Sequence, residues 1–259
     1  MSSYVQVTKE EGAALVTIDH PPLNVMSAEV VEELLAAFQE LERDKNIVAV
    51  VLTGAGSTAF MAGADIKEFP SWMGKKGIKE DFMKNHEFLY KLDVFPKPTI
   101  AVLNGLTYGG GCELALAFDM IIAEQHASIA LPEIKLGLFP GGGGTQRLPR
   151  AIGSALAKEM MYTGDAISAE RAERIGLVNA VVPRGEGIAK GMELAKRISR
   201  HSLPALSKIK KAVDAGLQTT LQKGLEYEAE LFEEVFQTED VREGVTAFFE
   251  KRKPVFVHK

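Results

Sequence analysis

The chain has 259 residues, of which 46% are hydrophobic and 25% are charged, a composition typical of folded globular proteins and unlike that of disordered chains. Its 30 Lys and Arg residues against 35 Asp and Glu residues give a formal net charge of −5, which disfavours general binding to nucleic acids or anionic membranes. The single cysteine, Cys112, excludes an intrachain disulfide and a cysteine-cluster metal site, and it favours a reducing compartment.

The sequence contains no signal for a membrane or for secretion. No stretch reaches the roughly 20 consecutive apolar residues that a membrane-spanning helix needs. The amino-terminal segment lacks a basic region followed by an apolar one. The five histidines show no metal-ligand spacing. We therefore expect a cytoplasmic protein without a bound metal.

Short apolar segments alternate with amphipathic ones along the first part of the chain. Strands are predicted at residues 5–7 and 13–18, around a Glu11-Gly12 turn. Ser27 is placed to cap a helix that continues to Arg43. The following predicted elements are a strand at 47–52, a helix at 79–92, a strand at 98–103, a helix at 112–118 and a strand at 120–123. These strands are apolar throughout, which indicates a sheet covered on both faces.

The pattern changes after Pro183, where only amphipathic helices are predicted, at residues 187–199, 205–215, 219–236 and 240–251. Before this point, two or three short strands followed by a helix recur, which indicates stacked strand-strand-helix units. We predict an α/β body at residues 1–200 and a helical region at 201–259. The helix at 219–236 is more apolar than a lone surface helix, which either an oligomer contact or packing on the body explains.

Glycine is concentrated in three clusters near the ends of predicted elements, at residues 54–63, 105–111 and 137–144. Such clusters either form turns or expose backbone N–H groups to a negatively charged oxygen. The segment 54–59 fits the loose G-x-G-x-x-A nucleotide fingerprint but is not followed by a helical pattern, and no P-loop motif occurs. A dinucleotide site is therefore a weak alternative.

Two carboxylates stand in apolar surroundings. Glu113 is the only charge at the start of an apolar helix and lies three residues after Gly110. Glu133 lies among apolar residues near the end of a strand. The alternatives are an exposed Glu113 favoured by the helix dipole, and a Glu133 paired with Lys135 or Arg147. If both line one cleft, they suit the addition of water across a polarised double bond, in which one accepts a proton from water and the other donates a proton to carbon.

Four segments carry a family resemblance. Residues 97–105 (KPTIAVLNG) with 109–115 (GGGCELA) closely resemble the signature of the enoyl-CoA hydratase (crotonase) family. Residues 60–68 are similar to its acyl-CoA-binding segment, residues 131–133 and 140–148 to its second catalytic segment, and residues 243–252 to its C-terminal helix. The motifs follow the family's order and span nearly the whole chain. Met61 and Phe118 are departures, since the family usually has small residues there.

The resemblance implies a crotonase-like spiral of repeated ββα units with a C-terminal helical region, assembled as trimers or as dimers of trimers. It also implies that the backbone amides of Ala64 and Gly110 form an oxyanion hole, that Glu113 is the base and that Glu133 is the acid. Lys67 would lie near the phosphates of coenzyme A, and Phe248 and Lys251 would reach a neighbouring subunit's coenzyme A. The substrate-binding residues that it implies are Ala62, Ala64, Asp65, Ile66, Lys67, Gly110, Gly141, Phe248 and Lys251.

The activity that the resemblance implies is the reversible hydration of a 2-trans-enoyl-CoA to a 3-hydroxyacyl-CoA, as in fatty-acid β-oxidation. No cofactor is expected, because coenzyme A is part of the substrate. The presence of both glutamates favours a hydratase over a 3,2-enoyl-CoA isomerase, whose members often keep only the carboxylate corresponding to Glu133. One relative of the family binds RNA, but the pI of about 5.7 disfavours that role here.

Overall fold

The structure is a computed structural model that describes residues 3–259, apart from the side chains of Glu68, Asp81 and Asn85. The strands are β1 (Val5–Glu10), β2 (Ala13–Ile18), β3 (Ala49–Gly54), β4 (Ala59–Met61), β5 (Thr99–Leu103), β6 (Leu106–Tyr108), β7 (Met120–Glu124), β8 (Ser128–Ala130), β9 (Ile167–Ser168) and β10 (Ala180–Val182). The α-helices are α1 (Ala28–Arg43), α2 (Lys79–Asp93), α3 (Gly110–Ala115), α4 (Gly144–Ile152), α5 (Ser154–Thr163), α6 (Ala169–Arg174), α7 (Gly187–Ile198), α8 (Leu203–Gly216), α9 (Leu221–Val235) and α10 (Glu239–Glu250). Two short 3-10 helices occupy Ile66–Ser71 and Pro132–Leu136.

The strands form two sheets, and from β3 to β8 successive strands of the chain alternate between them. The larger sheet has the order β1-β2-β3-β5-β7-β10, in which only the β1–β2 pair is antiparallel. The smaller sheet has the order β4-β6-β8-β9, with β4, β6 and β8 parallel. In each successive pair β3–β4, β5–β6 and β7–β8, the first strand joins the larger sheet and the second joins the smaller one. Each unit therefore lies against the previous one, which is the predicted α/β spiral.

Both faces of the larger sheet are covered, as the apolar strands predict. Val50 and Leu52 of β3 pack into one core cluster, whereas Ala49 and Val51 of the same strand pack into a second cluster. This division follows from the alternation of side chains along a strand. The second cluster also contains Ala195 of α7, so α7 covers that face of the sheet. Met61 and Phe118, the two departures from the family pattern, are buried in the first cluster.

The predicted helices are present, with differences at their ends. The Ser27 hydroxyl accepts a hydrogen bond from the amide of Val30, which caps α1 as predicted. The helix predicted at 112–118 instead ends at Ala115, because the amide of Phe118 bonds to the carbonyl of Ala115 and closes a tighter turn. The sequence analysis does not predict α4 to α6. They are short helices, and glycines at positive φ separate them.

The described elements beyond Pro183 are the helices α7 to α10, as predicted, and the last residues of the chain, 253–259, are irregular. Helix α8 is bonded to the body of the protein. The hydroxyl of Ser207 donates to the carbonyl of Pro96, and the ammonium group of Lys210 lies 2.8 Å from Asp119 Oδ1. The division of the chain at residue 200 stays a prediction. Among the residues that the structure describes, no helix combines the length and apolarity needed to span a membrane.

One buried side chain ties the two strand layers together close to the site described below. Asn104 follows β5 and is 3% exposed. Its Nδ2 donates to the carbonyls of Gly54 (2.7 Å) and Gly56 (2.8 Å), and its Oδ1 accepts from the hydroxyl of Thr53 (3.2 Å). Gly54 and Gly56 lie in the segment that leads to β4, and Asn104 lies in the segment that leads to β6. These hydrogen bonds therefore fix the two strands relative to each other.

Candidate active site

Three parallel strands of the smaller sheet end at one edge, and each leads directly into one part of the site. Strand β4 leads to the segment containing Ala64, β6 leads to Gly110, and β8 leads to Glu133. Since β4, β6 and β8 are neighbours, their carboxyl ends lie side by side. The amide of Gly109 donates to the carbonyl of Ala130 at 2.9 Å, which joins the last two parts. The sheet topology therefore collects residues that are far apart in the sequence.

The amide of Ala64 is presented by a short ladder of backbone hydrogen bonds. The amide of Met26 donates to Gly63 O (2.8 Å), and the amide of Asp65 donates to Met26 O (3.0 Å). Ala64 lies between these two bonds and is exposed, so its own N–H points away from the ladder. Asn24 supports this segment, because its Nδ2 donates to the carbonyl of Ala59 at 2.9 Å.

The amide of Gly110 lies beside that of Ala64, at the start of α3. A β-carbon built on Gly110 would lie 3.5 Å from the Ala64 nitrogen, in ordinary van der Waals contact. The first amides of a helix have no intrahelical acceptor, so the Gly110 N–H is free for another oxygen. The two residues are therefore neighbours, as the predicted oxyanion hole requires, and a pair of N–H donors aimed at one oxygen stabilises partial negative charge on it.

Glu113 is buried, with 4% of its surface exposed, and its carboxylate is held by backbone amides. Its Oε1 accepts from Gly142 N and from Gly144 N, each at 2.8 Å. Burial raises the pKa of Glu113, whereas the two amide bonds and the nearby Arg147 lower it. The interpretation of Glu113 as an exposed residue of a first turn is therefore wrong.

Glu133 lies on the other side of the start of α3. A β-carbon on Gly109 would lie 3.1 Å from Glu133 Oε1, so the two groups are in close contact, and Gly109 has a φ of 52° that favours glycine. Oε2 of Glu133 is buried and has no hydrogen-bond partner among the described residues. Burial and the charge of Glu113 raise the pKa of Glu133 to about 7.

The alternative ion pairs of Glu133 are not formed among the described residues. Lys135 Nζ lies 3.3 Å from Asp165 Oδ1, and Arg147 pairs with Asp93. Both predicted cations thus have other partners, and the charged group that acts on Glu133 is Glu113.

The remaining predicted substrate-binding residues of the body lie within three residues of Ala64 or directly before Gly142 in the sequence. Asp65 accepts a hydrogen bond from the amide of Lys67 at 3.1 Å and caps the 3-10 helix that follows. The side chains of Ile66 and Lys67 are exposed, and Ala62 is half-buried. Gly141 faces Phe82 of α2, whose ring would lie 3.8 Å from a β-carbon at Gly141.

Phe248 and Lys251 lie on and directly after α10, in the helical region. Phe248 is 78% exposed, and its ring packs edge-on against Phe249. Lys251 ends the helix in the left-handed conformation. Their contribution to a coenzyme A site stays a prediction. Cys112, in contrast, is buried, and burial raises the pKa of its thiol, so it is not a nucleophile.

Sequence reasoning did not identify several residues that build the site. The amides of Gly142 and Gly144 hold Glu113, and Met26 and Asn24 hold the segment of Ala64. The one signal for the former was a run of four glycines without a helical pattern. Glu113 stands out in the sequence as a charge at the start of an apolar helix, but nothing there pairs it with this run, which lies 29 to 31 residues later.

Comparisons with known proteins identify the family to which this chain is similar. The family model for enoyl-CoA hydratase/isomerase matches residues 8–259. The short-chain-enoyl-CoA hydratase of Clostridium acetobutylicum is 41% identical over 250 residues, which cover 96% of this chain and 95% of that protein. The mitochondrial enoyl-CoA hydratase of Pongo abelii is 40% identical over 249 residues, covering 96% and 84%. The crystal structure of an enoyl-CoA hydratase from Bacillus anthracis superposes with a TM-score of 0.92 at 37% identity, covering 99% and 100%.

The raised pKa of Glu133 predicts a pH-dependent stability. Its pKa is about 7 in the folded protein against an ordinary value of 4.5, so between these values the folded state binds more protons than the unfolded state. The stabilisation is fully present below pH 4.5 and is lost as the pH rises through 7. We expect Glu133→Gln, which mimics the protonated acid, to melt at a higher temperature than the wild type at pH 8, with a smaller difference at pH 4.

Thermal unfolding at the two pH values measures this effect. Glu159→Gln, at an exposed position on α5, is the control, and its difference from the wild type should not change with pH. A Glu133→Gln difference that is larger at pH 4 than at pH 8 would contradict the raised pKa.

Proposed function

The chain belongs to the enoyl-CoA hydratase/isomerase family, and we propose that it adds water reversibly to a 2-trans-enoyl-CoA to give a 3-hydroxyacyl-CoA. The observation that supports the proposal is that the amides of Ala64 and Gly110 and the carboxylates of Glu113 and Glu133 are grouped where β4, β6 and β8 end. The amides suit a thioester oxygen, and the carboxylates suit a water molecule and a carbon next to it.

The two amides would act on the thioester carbonyl. When hydroxide adds to the β-carbon, the electrons of the conjugated double bond move towards the thioester oxygen, which becomes an enolate. Fixed N–H donors aimed at this oxygen stabilise the charge as it develops, by about 2.7–4 kcal/mol for a single donor. The thioester itself is the electron sink, so the proposed reaction uses no separate cofactor.

The two carboxylates would divide the proton transfers. Glu113 accepts two amide hydrogen bonds, which favour its charged form, and so it suits the base that takes a proton from water. Glu133 lacks a donor on Oε2 and its pKa is raised to about 7, so it suits the acid that gives a proton to the α-carbon. Because the two groups interact, their titration belongs to the pair. In the dehydration direction each carboxylate reverses its role.

The exposed segment after β4 would bind the coenzyme A part of the substrate. Ala62, Ala64, Asp65 and Ile66 would line its path. The Lys67 side chain is 89% exposed, with its Nζ 3.7 Å from Asp65 Oδ2, and would approach the phosphate groups from this position on the surface. Gly141 would border the acyl end. Phe248 and Lys251 of a neighbouring copy of the chain would also contact the coenzyme A part of the substrate.

The carboxylates give the first test of the proposed function. We expect the wild-type protein to remove the absorbance of the conjugated thioester of crotonyl-CoA. Glu113→Gln and Glu133→Gln should each lower the turnover number by at least about 100-fold, because each removes a proton-transfer group, while butyryl-CoA still binds. Turnover by stopped-flow or steady-state absorbance and binding by calorimetry are the measurements.

Glu159→Gln is the matched control and should keep wild-type turnover. Near-normal turnover in either site variant would refute the roles of the glutamates. A wild-type protein that converts 3-enoyl-CoA to 2-enoyl-CoA but does not hydrate crotonyl-CoA would instead be an isomerase.

The oxyanion hole gives a second test. We expect Gly110→Ala to fold normally, because its methyl group would lie no closer than 3.5 Å to any neighbouring atom. The same methyl group would stand in front of the Ala64 amide and exclude the thioester oxygen. Turnover of crotonyl-CoA should therefore fall by at least about 100-fold, as when an oxyanion donor is lost. Gly216→Ala, in open space on α8, is the control. An active Gly110→Ala enzyme would contradict the placement of the oxygen.

The helical region supports a proposal on assembly. Large apolar side chains on and next to α8, α9 and α10 are exposed in the single chain, and exposed apolar surface of this kind marks interaction sites when it is contiguous. We propose that they are covered in a homotrimer or in a dimer of trimers. The residues concerned, each more than half exposed, are Ile209, Val213, Leu217, Leu221, Leu225, Phe232, Phe236, Phe248 and Phe249.

Light scattering on the purified protein tests the assembly. We expect a mass of three or six times 28.1 kDa. Leu217→Asp, which puts a charge where 81% of a leucine is exposed, should lower the mass if this residue is buried between copies. A monomeric mass for the wild type at micromolar concentration would contradict the proposal.

A further inference from the structure

An ion pair that includes neither glutamate lies next to the glycine loop that holds Glu113. Arg147 on α4 and Asp93 at the end of α2 are 54 residues apart in the sequence. Nε of Arg147 donates to Asp93 Oδ1 at 2.9 Å, and Nη2 donates to Asp93 Oδ2. The side chains are 17% and 30% exposed, so this two-point pair is largely shielded from water. Such a fork fixes the direction of the guanidinium group as well as its position.

The remaining guanidinium nitrogen of Arg147, Nη1, bonds to the loop that holds Glu113. This nitrogen donates to the carbonyl of Gly142 at 3.1 Å. The amide of the same glycine donates to Glu113 Oε1 at 2.8 Å. The backbone of Gly142 is thus held twice, because its amide bonds to the Glu113 carboxylate and its carbonyl bonds to the Arg147 guanidinium group.

The backbone around Gly142 is shaped to admit both groups. A β-carbon on Gly143 would lie 2.1 Å from Arg147 Nη1, and one on Gly142 would lie 2.4 Å from Glu113 Oε2. The guanidinium and the carboxylate therefore occupy the space that side chains would take. The loop adopts this form only if the cation stays in place, because otherwise the carbonyl of Gly142 loses its donor.

We propose that the Asp93–Arg147 pair is a positioning device for Glu113, which orients the Gly142–Gly144 loop so that its amides hold the carboxylate. The inference rests on the proposed function, in which Glu113 is the base. Arg147 does not touch the substrate in this scheme. It acts through the backbone of Gly142, and Asp93 acts through Arg147.

The charge of Arg147 has a second effect on Glu113. Burial raises the pKa of Glu113, and the guanidinium charge opposes that rise. The other titratable groups around Glu113 are Glu133, from the 3-10 helix, and the neutral Cys112 on its own helix. Loss of the Arg147 charge should therefore raise the pKa of Glu113 and leave less of the base ionised at low pH.

The surroundings of Asp93 explain why it needs this cation. Asp119 and Asp214 both lie near, and their charges together with that of Asp93 are opposed by Lys210, which lies 2.8 Å from Asp119 Oδ1. Burial raises the pKa of Asp214, and the charges of Asp119 and Asp93 raise it further. Arg147 supplies the cation on the Asp93 side of this cluster, which links helix α8 and the end of α2 to the loop behind Glu113.

The test compares Arg147→Gln with Arg147→Lys, with Arg150→Gln as the matched control one turn along α4, at an exposed position. We expect Arg147→Gln to lower kcat for crotonyl-CoA hydration at least about 10-fold with little change in KM, because a small misplacement of a catalytic group is costly. The acidic limb of kcat/KM should move to higher pH. Arg147→Lys should restore the pH limb, since it keeps the charge, but not kcat, since it lacks the fork. Arg150→Gln should match the wild type.

Asp93→Asn tests the other half of the pair. It leaves the charge of Arg147 but removes its anchor, so kcat should fall. The double variant Arg147→Gln with Asp93→Asn should be no slower than Arg147→Gln alone, because both act through one contact. Additive losses would overturn a shared role.

The outcomes separate three cases. A folded Arg147→Gln variant with the kcat and the pH profile of the wild type would overturn the inference. A variant that only melts at a lower temperature, with unchanged kcat per folded molecule and an unchanged acidic limb of kcat/KM, would overturn it as well. If Arg147→Gln does not fold, Arg147→Lys and Asp93→Asn decide the matter by the same measurements. Failure of the wild-type protein to hydrate crotonyl-CoA would instead refute the proposed function itself.

Discussion

A carboxylate buried behind a glycine loop is the constraint around which the site is built. Removal of Glu113 from water disfavours its charge, and only strong donors offset that cost. The amides of Gly142 and Gly144 supply them. Gly142 must lack a side chain, since a β-carbon there would lie 2.4 Å from the carboxylate, and one on Gly144 would be tight at 3.1 Å. The buried charge of Glu113 therefore accounts for glycine at these two positions of the run.

The spiral brings the parts of this site together through its strand order. Strands β4, β6 and β8 are parallel neighbours of the smaller sheet, and the chain leaves each of them at the same edge. Segments that begin at residues 62, 109 and 131 thereby meet, although up to 70 residues separate them. The larger sheet, buried on both faces, gives this edge a rigid support.

Environment gives the two glutamates different properties although they have the same side chain. Glu113 has two amide donors and a nearby guanidinium group, whereas Glu133 has a buried oxygen without a partner among the described residues. The pKa of Glu133 is raised to about 7 by burial and by the charge of Glu113. Burial raises the pKa of Glu113 as well, but its amide donors favour the charged form. Two acids in such different surroundings suit a reaction that needs one proton acceptor and one proton donor.

The sequence by itself determined the apolar strands, the Ser27 cap of α1 and the change to helices after Pro183, and it singled out two glutamates that stand among apolar residues. These features depend on neighbouring residues or on helical and strand periodicity. The tertiary structure decided that Arg147 pairs with Asp93 rather than with Glu133, that Gly142 and Gly144 hold Glu113, and that Asn104 bonds back to Gly54 and Gly56. Each of these bonds joins residues 29 to 54 positions apart, and such partners are set by strand order and packing, which leave no periodic signal in the chain.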